Sequence, residues 1–227
     1  MGKVHEVFPM IVYQGDIDCH NEFKEKYLED IKKYWFNGYK YESPEGSANI
    51  FLHLNENYCD FFISLRKVFD EYFDTLNIEY EKLNYHICKS WVVYHKDDTS
   101  PPLAPHKHNE ANISFVYYVN TDKTSDKFVV SQIPDTNKNQ VCHGFFDVAD
   151  ERNLMRGFNK YNCNMYTITP KEGTCIVFPS ETYHHTIKNV ARESERVAIS
   201  GDVRVTLKPD HFRHHQGCTH PSQWLEI

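Results

Sequence analysis

The chain contains no Cys-x-x-Cys pair, no dense run of lysine and arginine, and no long apolar stretch. Each absence removes a class of protein. The seven cysteines (19, 59, 88, 142, 163, 175 and 218) are odd in number and widely spaced. That pattern indicates neither a zinc ribbon nor a disulfide framework, and reduced thiols of a cytoplasmic protein are expected. Acidic residues outnumber basic ones by 32 to 25, for a formal charge of −7. Without a basic face to track phosphates, nucleic acid is not an expected partner. No segment approaches the roughly 18 consecutive apolar residues of a membrane helix, so no membrane partner is expected either. The opening Met1-Gly2-Lys3-Val4-His5-Glu6 has no apolar core of a secretory signal, and Glu6 stands where N-myristoylation needs serine or threonine. Repeats at a fixed period and low-complexity tracts are also missing.

What is present is a core. The 227 residues are 40% hydrophobic and 15% aromatic, with 15 Tyr, 15 Phe and 3 Trp. This suits one domain over 1–227, with 1–80 as a helical N-terminal extension and 81–227 as a β-barrel core. Residues 7–13 read as a short opening strand. Phe23, Tyr27, Ile31, Tyr34 and Trp35 recur at helical spacing over 21–36. The clearest helix spans 57–76, where Phe61, Phe62, Leu65, Val68, Phe69, Tyr72, Phe73 and Leu76 form an apolar stripe expected to pack on the outside of a sheet. From residue 80 the texture turns to β, with strands expected at 85–95, 112–120, 127–132, 165–169, 173–178, 183–188 and 195–206. Turn chemistry marks 96–100, 135–138 and 157–164 as loops. Helices followed by strands point to an α+β fold whose second half closes into a sandwich or small barrel.

Two histidine clusters carry the chemistry. The first, Pro105-His106-Lys107-His108-Asn109-Glu110, leads into the strand Ile113–Tyr118. The second is Phe178-Pro179-Ser180 followed by His184-His185, and Arg196 comes twelve positions after His184. Side chains two residues apart on extended backbone share a face and can grip one ion, and a third ligand from a distant strand completes a facial site with open positions. Arg196, Ala198 and Ser200 share a face by the same alternation, so a guanidinium there can bind a carboxylate beside the Ser200 hydroxyl. Read singly, His106 and His108 fit partly solvated surface histidines on a loop better than metal ligands, and Arg196 fits a surface ion pair with Glu193 or Glu195 better than a co-substrate site.

The order of Ser90-Trp91-Val92-Val93-Tyr94, His106-Lys107-His108, Ser114–Val119, Phe178-Pro179-Ser180 with His184, and Glu195-Arg196-Val197-Ala198-Ile199-Ser200 resembles the Fe(II)/2-oxoglutarate-dependent oxygenase superfamily. More narrowly, it resembles the uncharacterised 2-oxoglutarate oxygenases of bacteria and marine phages. The resemblance covers most of the chain, with Phe8-Pro9 and the N-terminal helices included. It implies a double-stranded β-helix, a jelly-roll or cupin-like barrel with iron at its open end, and the N-terminal helices packed outside. It also implies Fe(II), 2-oxoglutarate as co-substrate and O2, and usually hydroxylation of a small-molecule or peptidyl substrate. His184 falls on the distal metal ligand and Arg196, with Ser200 nearby, on the co-substrate cation. The first ligand pair reads two ways, as His106 with His108 or as His108 with Glu110, and the narrower group's spacing favours the former. His185 is turned from the metal by alternation, while Tyr94, Tyr117 and Tyr118 are candidates to line the cavity.

Three other classes remain open on sequence alone: a cupin-like metal-binding protein without oxygenase activity, a zinc hydrolase with Glu110 or Glu181 as base, and a non-catalytic scaffold. A homodimer is compatible with all of them. The run His211–His220 carries histidine and cysteine at metal-compatible spacing without a matching partner cluster, and reads as a polar tail packing near Trp224.

Overall fold

The computed structural model of the chain describes residues 10–34, 51–95, 102–122, 124–131, 165–188 and 194–211, together with 163, 221–223 and 225. The expected loops at 96–100 and 135–138, most of 157–164, and positions 212–220 of the C-terminal run lie outside the described residues.

Helix α1 (His20–Ile31) follows the expected spacing, burying Phe23 and Ile31, and tightens into a 3-10 turn at Lys32–Tyr34. Helix α2 (Cys59–Thr75) buries Phe61, Leu65, Val68, Phe69, Tyr72 and Phe73, so most of the expected stripe is its inward face. Its end is sequence-encoded. Asn77 takes a left-handed φ of 56°, Asn77 N–H donates to the Asp74 carbonyl, and Ile78 N–H donates to that of Phe73. That hydrogen-bond pair closes a helix with a residue in the αL region, where asparagine is tolerated almost as well as glycine.

The strands are β1 (Tyr13–Asp16), β2 (Leu83–His95), β3 (Ile113–Asn120), β4 (Lys127–Ser131), β5 (Met165–Ile168), β6 (Thr174–Pro179), β7 (Tyr183–Ile187) and β8 (Arg196–Leu207). Seven lie within two residues of their expected limits. Of the expected opening strand, residues 7–9 lie outside the described residues, 10–12 are not in a strand, and β1 begins at Tyr13, where the expected strand ends. The reason is its partner. β1 pairs antiparallel with β6 from Tyr13↔Val177 to Asp16↔Thr174. Two steps further back the register would set Ile11 against Pro179, which has no N–H to offer a ladder.

Among the described residues all pairings between these strands are antiparallel, in a five-stranded sheet of order β1-β6-β3-β8-β2 and a three-stranded sheet of order β5-β4-β7. Alternation divides the larger sheet between two cores. Phe115, Tyr117, Cys175, Val177, Val197 and Ile199 face the helices and join Phe61, Leu65 and Phe69. Their neighbours Val116, Tyr118, Ile176, Phe178 and Ala198 face the smaller sheet and meet Phe128 and Val130 of β4. The helices therefore back one face of the larger sheet, and the smaller sheet covers the other. No helix among the described residues is long and apolar enough to cross a membrane.

Candidate metal centre

The two histidine clusters meet because the backbone sews them together. The segment before β3 runs along β7: Leu103 N–H donates to Thr186 Oγ1 at 2.8 Å and Thr186 N–H to the Leu103 carbonyl at 3.2 Å. Further along, His106 and His184 exchange both main-chain bonds at 3.0 and 2.9 Å, and His108 N–H reaches the Ser180 carbonyl at 2.8 Å. His106 and His108 thus lie on an extended segment held by one bridge rather than in a full strand, yet their rings still fall on one side. Ring centroids stand 4.2 Å apart for His106 and His184, 5.1 Å for His108 and His184, and 5.2 Å for His106 and His108. One ligating atom from each of the three lies within 4.8 Å of the others.

Each ring is fixed by its other nitrogen. His106 Nδ1 is 2.8 Å from the Ala104 carbonyl, His184 Nδ1 is 2.9 Å from the Thr182 carbonyl, and His108 Nδ1 is 2.5 Å from Asp202 Oδ1. Carbonyl and carboxylate oxygens only accept, so each Nδ1 carries a proton, and in the neutral form of each ring the lone pair is on Nε2. Burial pushes the His184 imidazole down to about 3, with His106 beside it adding to the effect. Burial likewise holds His106 below the ordinary imidazole value. Neutral rings with tied Nδ1 atoms are the form in which histidine binds a divalent cation.

Glu110, the other candidate for the first ligand pair, points away. Its carboxylate is surface-exposed and pairs with Lys89 at 2.5 Å. His185 lies opposite Val129 in β4, is buried, and has no hydrogen-bond partner for Nδ1, but its ring is not among the converging three.

Strand β8 supplies the rest of the site from Arg196, Ser200 and Asp202, which alternation sets on the face toward the smaller sheet. Arg196, Ser200 and all three histidines line one pocket between the sheets, walled by Trp91, Phe128 and Phe178. Arg196 is not the surface ion-pair residue that its acidic neighbours suggested. It is 1% exposed, and its Nε and Nη1 have no hydrogen-bond partner among the described residues. Glu195 instead pairs with Lys32 and accepts from the Tyr94 hydroxyl at 2.8 Å. That bond takes Tyr94 away from the pocket. Tyr117 also turns to the helix side, where its hydroxyl meets His20 Nδ1 at 2.8 Å. Tyr118 remains, fully buried, with its ring 5.3 Å from the Arg196 guanidinium carbon.

A buried guanidinium with unpaired N–H groups costs several kcal/mol unless an anion meets it. The pocket thus brings three imidazoles that could hold a metal ion and one buried cation into the same lining. Asp202 is the residue that sequence reasoning missed. Continuing the alternation one step beyond Arg196, Ala198 and Ser200 would have found it, but a lone Asp next to a glycine carries no motif.

The sequence of residues 89–202 matches the family described as "Putative 2OG-Fe(II) oxygenase". No curated protein matches. Among solved structures, the non-heme alpha ketoglutarate dependent epimerase SnoN from nogalamycin biosynthesis is 13% identical, with 88% of this chain and 82% of that one covered at a TM-score of 0.53. SnoN has also been solved in complex with Fe3+, alpha ketoglutarate and nogalamycin RO. A prolyl-4-hydroxylase from Pseudomonas putida is 11% identical over 86% of each chain, at a TM-score of 0.46. An oxidoreductase of the 2OG-Fe(II) oxygenase family from Burkholderia pseudomallei is 16% identical, at a TM-score of 0.39 over 62% of this chain. The aligned part spans about half, 52%, of that protein's length.

Proposed function

The chain belongs to the 2OG-Fe(II) oxygenase family, whose reactions use Fe(II), 2-oxoglutarate and O2, and we propose that it is a dioxygenase that hydroxylates a small-molecule or peptidyl substrate. In this reading the two antiparallel sheets are the two walls of a double-stranded β-helix, and the likeness to SnoN supports it. His106, His108 and His184 are the metal ligands, each through Nε2. Three protein nitrogens on one side of an ion leave the remaining positions for the oxo acid and dioxygen. Arg196 binds the far carboxylate of 2-oxoglutarate, with the Tyr118 and Ser200 hydroxyls beside it.

When bound, the iron and the oxo acid supply the activation of dioxygen and the oxidising power that breaks a substrate C–H bond. The chain's own residues do the rest. The Nδ1 bonds of the three rings hold their orientation before the ion arrives. Phe128, Phe178 and Trp91 keep bulk water from the pocket, which strengthens the charge interaction at Arg196.

The observation that carries the proposal is the unpaired, buried Arg196 in the same pocket as three converging imidazoles. A cupin-like metal-binding module has no need of that cation. The hydrolytic reading wants a free base. Glu110 is engaged with Lys89, Glu181 is exposed, and Asp202 is bound to His108.

An anaerobic titration with Fe(II), then 2-oxoglutarate, tests the proposal by visible absorbance. A weak charge-transfer band that needs both components is expected. Metal binding without that band would reject the oxygenase reading in favour of a binding or hydrolytic one.

A further inference from the structure

A ligand set of three neutral imidazoles leaves the full charge of a divalent cation uncompensated by the protein. Ligand sets of two histidines and one carboxylate bring a negative charge directly onto the ion. Here a negative charge stands one ring away. Asp202 Oδ1 stands 2.5 Å from His108 Nδ1, and Asp202 is itself only 5% exposed. The carboxylate is held from behind: the Ser114 hydroxyl donates to the same Oδ1 at 2.7 Å. The Ser180 hydroxyl lies 3.0 Å from that of Ser114. Since Ser114 has one hydroxyl hydrogen and spends it on the carboxylate, Ser180 donates to Ser114. Ser114 and Ser180 are both buried, so solvent does not compete for these bonds.

Three separate elements build this chain. Ser114 comes from β3, Ser180 from the turn after β6, and Asp202 from β8, which pairs with β3 at Ser114↔Asp202. The same Ser180 accepts His108 N–H through its carbonyl, so backbone and side chain of one residue brace the ligand from two directions. On the open side, Trp91 covers the His108 ring at a centroid distance of 5.5 Å. His108 is the only one of the three rings tied by a charged group. His106 and His184 are tied to main-chain carbonyls.

We propose that Asp202 is a positioning residue for the metal centre: through Nδ1 of His108 it aims Nε2 at the ion and supplies, one imidazole removed, the negative charge that the ligands lack. Its carboxylate pulls the Nδ1 proton and makes Nε2 the most electron-rich of the three donors. Groups in this position are worth about 10- to 100-fold in metal affinity. The inference rests on the ligand assignment made above.

The test compares full-length wild type with Asp202→Asn and Asp202→Glu under anaerobic conditions, using Fe(II) alone and then Fe(II) with 2-oxoglutarate. Asp202→Asn keeps the size and can still accept from Nδ1, but carries no charge. Its Fe(II) affinity should fall by about 10- to 100-fold, while the circular dichroism of the metal-free protein stays that of wild type. With saturating metal and oxo acid, its charge-transfer band should move to higher energy, because a less electron-rich iron gives up charge less readily. Asp202→Glu should recover part of both effects. Wild-type affinity and band position in Asp202→Asn would overturn the inference while leaving the oxygenase reading intact. Failure of the wild type to bind Fe(II) would overturn both. Should Asp202→Asn not fold, the wild-type protein still decides: the imidazole nitrogen spectrum of the metal-free chain must show a slowly exchanging proton on His108 Nδ1. A proton on Nε2 instead would sink the proposal.

Discussion

The Arg196 guanidinium carbon lies 5.3 Å from the centre of the Tyr118 ring, and Arg196 Nε and Nη1 have no hydrogen-bond partner among the described residues. Both residues are buried, Arg196 to 1% exposure. An aromatic face offsets a little of the guanidinium's lost hydration, on the order of 1–2 kcal/mol. It does not replace two hydrogen bonds. A carboxylate would supply the bonds that these N–H groups lack among the described residues.

A consequence for stability follows from Arg196→Met. Replacing an unmatched buried charge with an apolar side chain of similar length should stabilise the ligand-free protein by about 1–3 kcal/mol. At the same time 2-oxoglutarate should no longer raise the melting temperature. Urea unfolding with and without the oxo acid checks both. Destabilisation of the ligand-free variant by more than that amount would show that Arg196 is already satisfied.

The converging rings predict a sharp contrast between two nearby substitutions. His106→Ala removes one of three clustered donors and should lower Fe(II) affinity by more than about 100-fold, given what even a supporting group contributes. Glu110→Ala touches only the exposed pair with Lys89 and should leave affinity within a factor of about two, as expected for an exposed pair. Equilibrium metal titration distinguishes them, and the reverse result would move the ligand set to His108 and Glu110.

Acid should weaken the metal-free fold from a definite pH. Burial is the first cause lowering His184, His106, His185 and His53 below the ordinary 6.5. An unfolded chain takes up protons on these rings below about 6.5 while the folded chain does not, so stability is full above that value and falls as pH drops below it. For His184 the loss continues down to about 3. Each ring contributes up to about 1.4 kcal/mol per pH unit in its window. Urea midpoints at pH 7.5, 6.0 and 5.0 should decline in that order; a flat profile would mean that these rings are solvated.

Gly201 sits between Ser200 and Asp202, and its lack of a side chain is structural. A Cβ there would come within 2.5 Å of Phe115 Cε1 and 2.7 Å of the Lys89 carbonyl oxygen. The carbonyl belongs to β2, which is laddered to β8, and cannot swing aside. Gly201→Ala should therefore cost about 1–3 kcal/mol. It should also weaken metal binding, since β8 must shift with Asp202 attached. Unfolding and Fe(II) titration of the same sample test both expectations.

Local periodicity made most of the fold legible. The stripe from Phe61 to Phe73 predicts α2 because helical spacing depends on the chain alone, and the strand limits after residue 80 follow from alternation and turn residues. The opening strand slipped because its limits depend on β6, a partner more than 150 residues away in sequence, and on the N–H that Pro179 lacks. The glutamate at 195 suggested an ion pair for Arg196, but alternation sends the two side chains to opposite faces, and Glu195 finds Lys32 and Tyr94 instead.

By itself the sequence determined which residues carry chemistry and their order: a His-x-His pair, a later histidine, and an arginine on a strand. Those are properties of residue type and spacing. Only the tertiary structure decided that His106 and His184 face each other across one bridge, that Glu110 turns to Lys89, and that Asp202 stands behind His108. Each of those is a contact between segments far apart in the chain. Strand register and burial set such contacts, and neither can be read from local pattern.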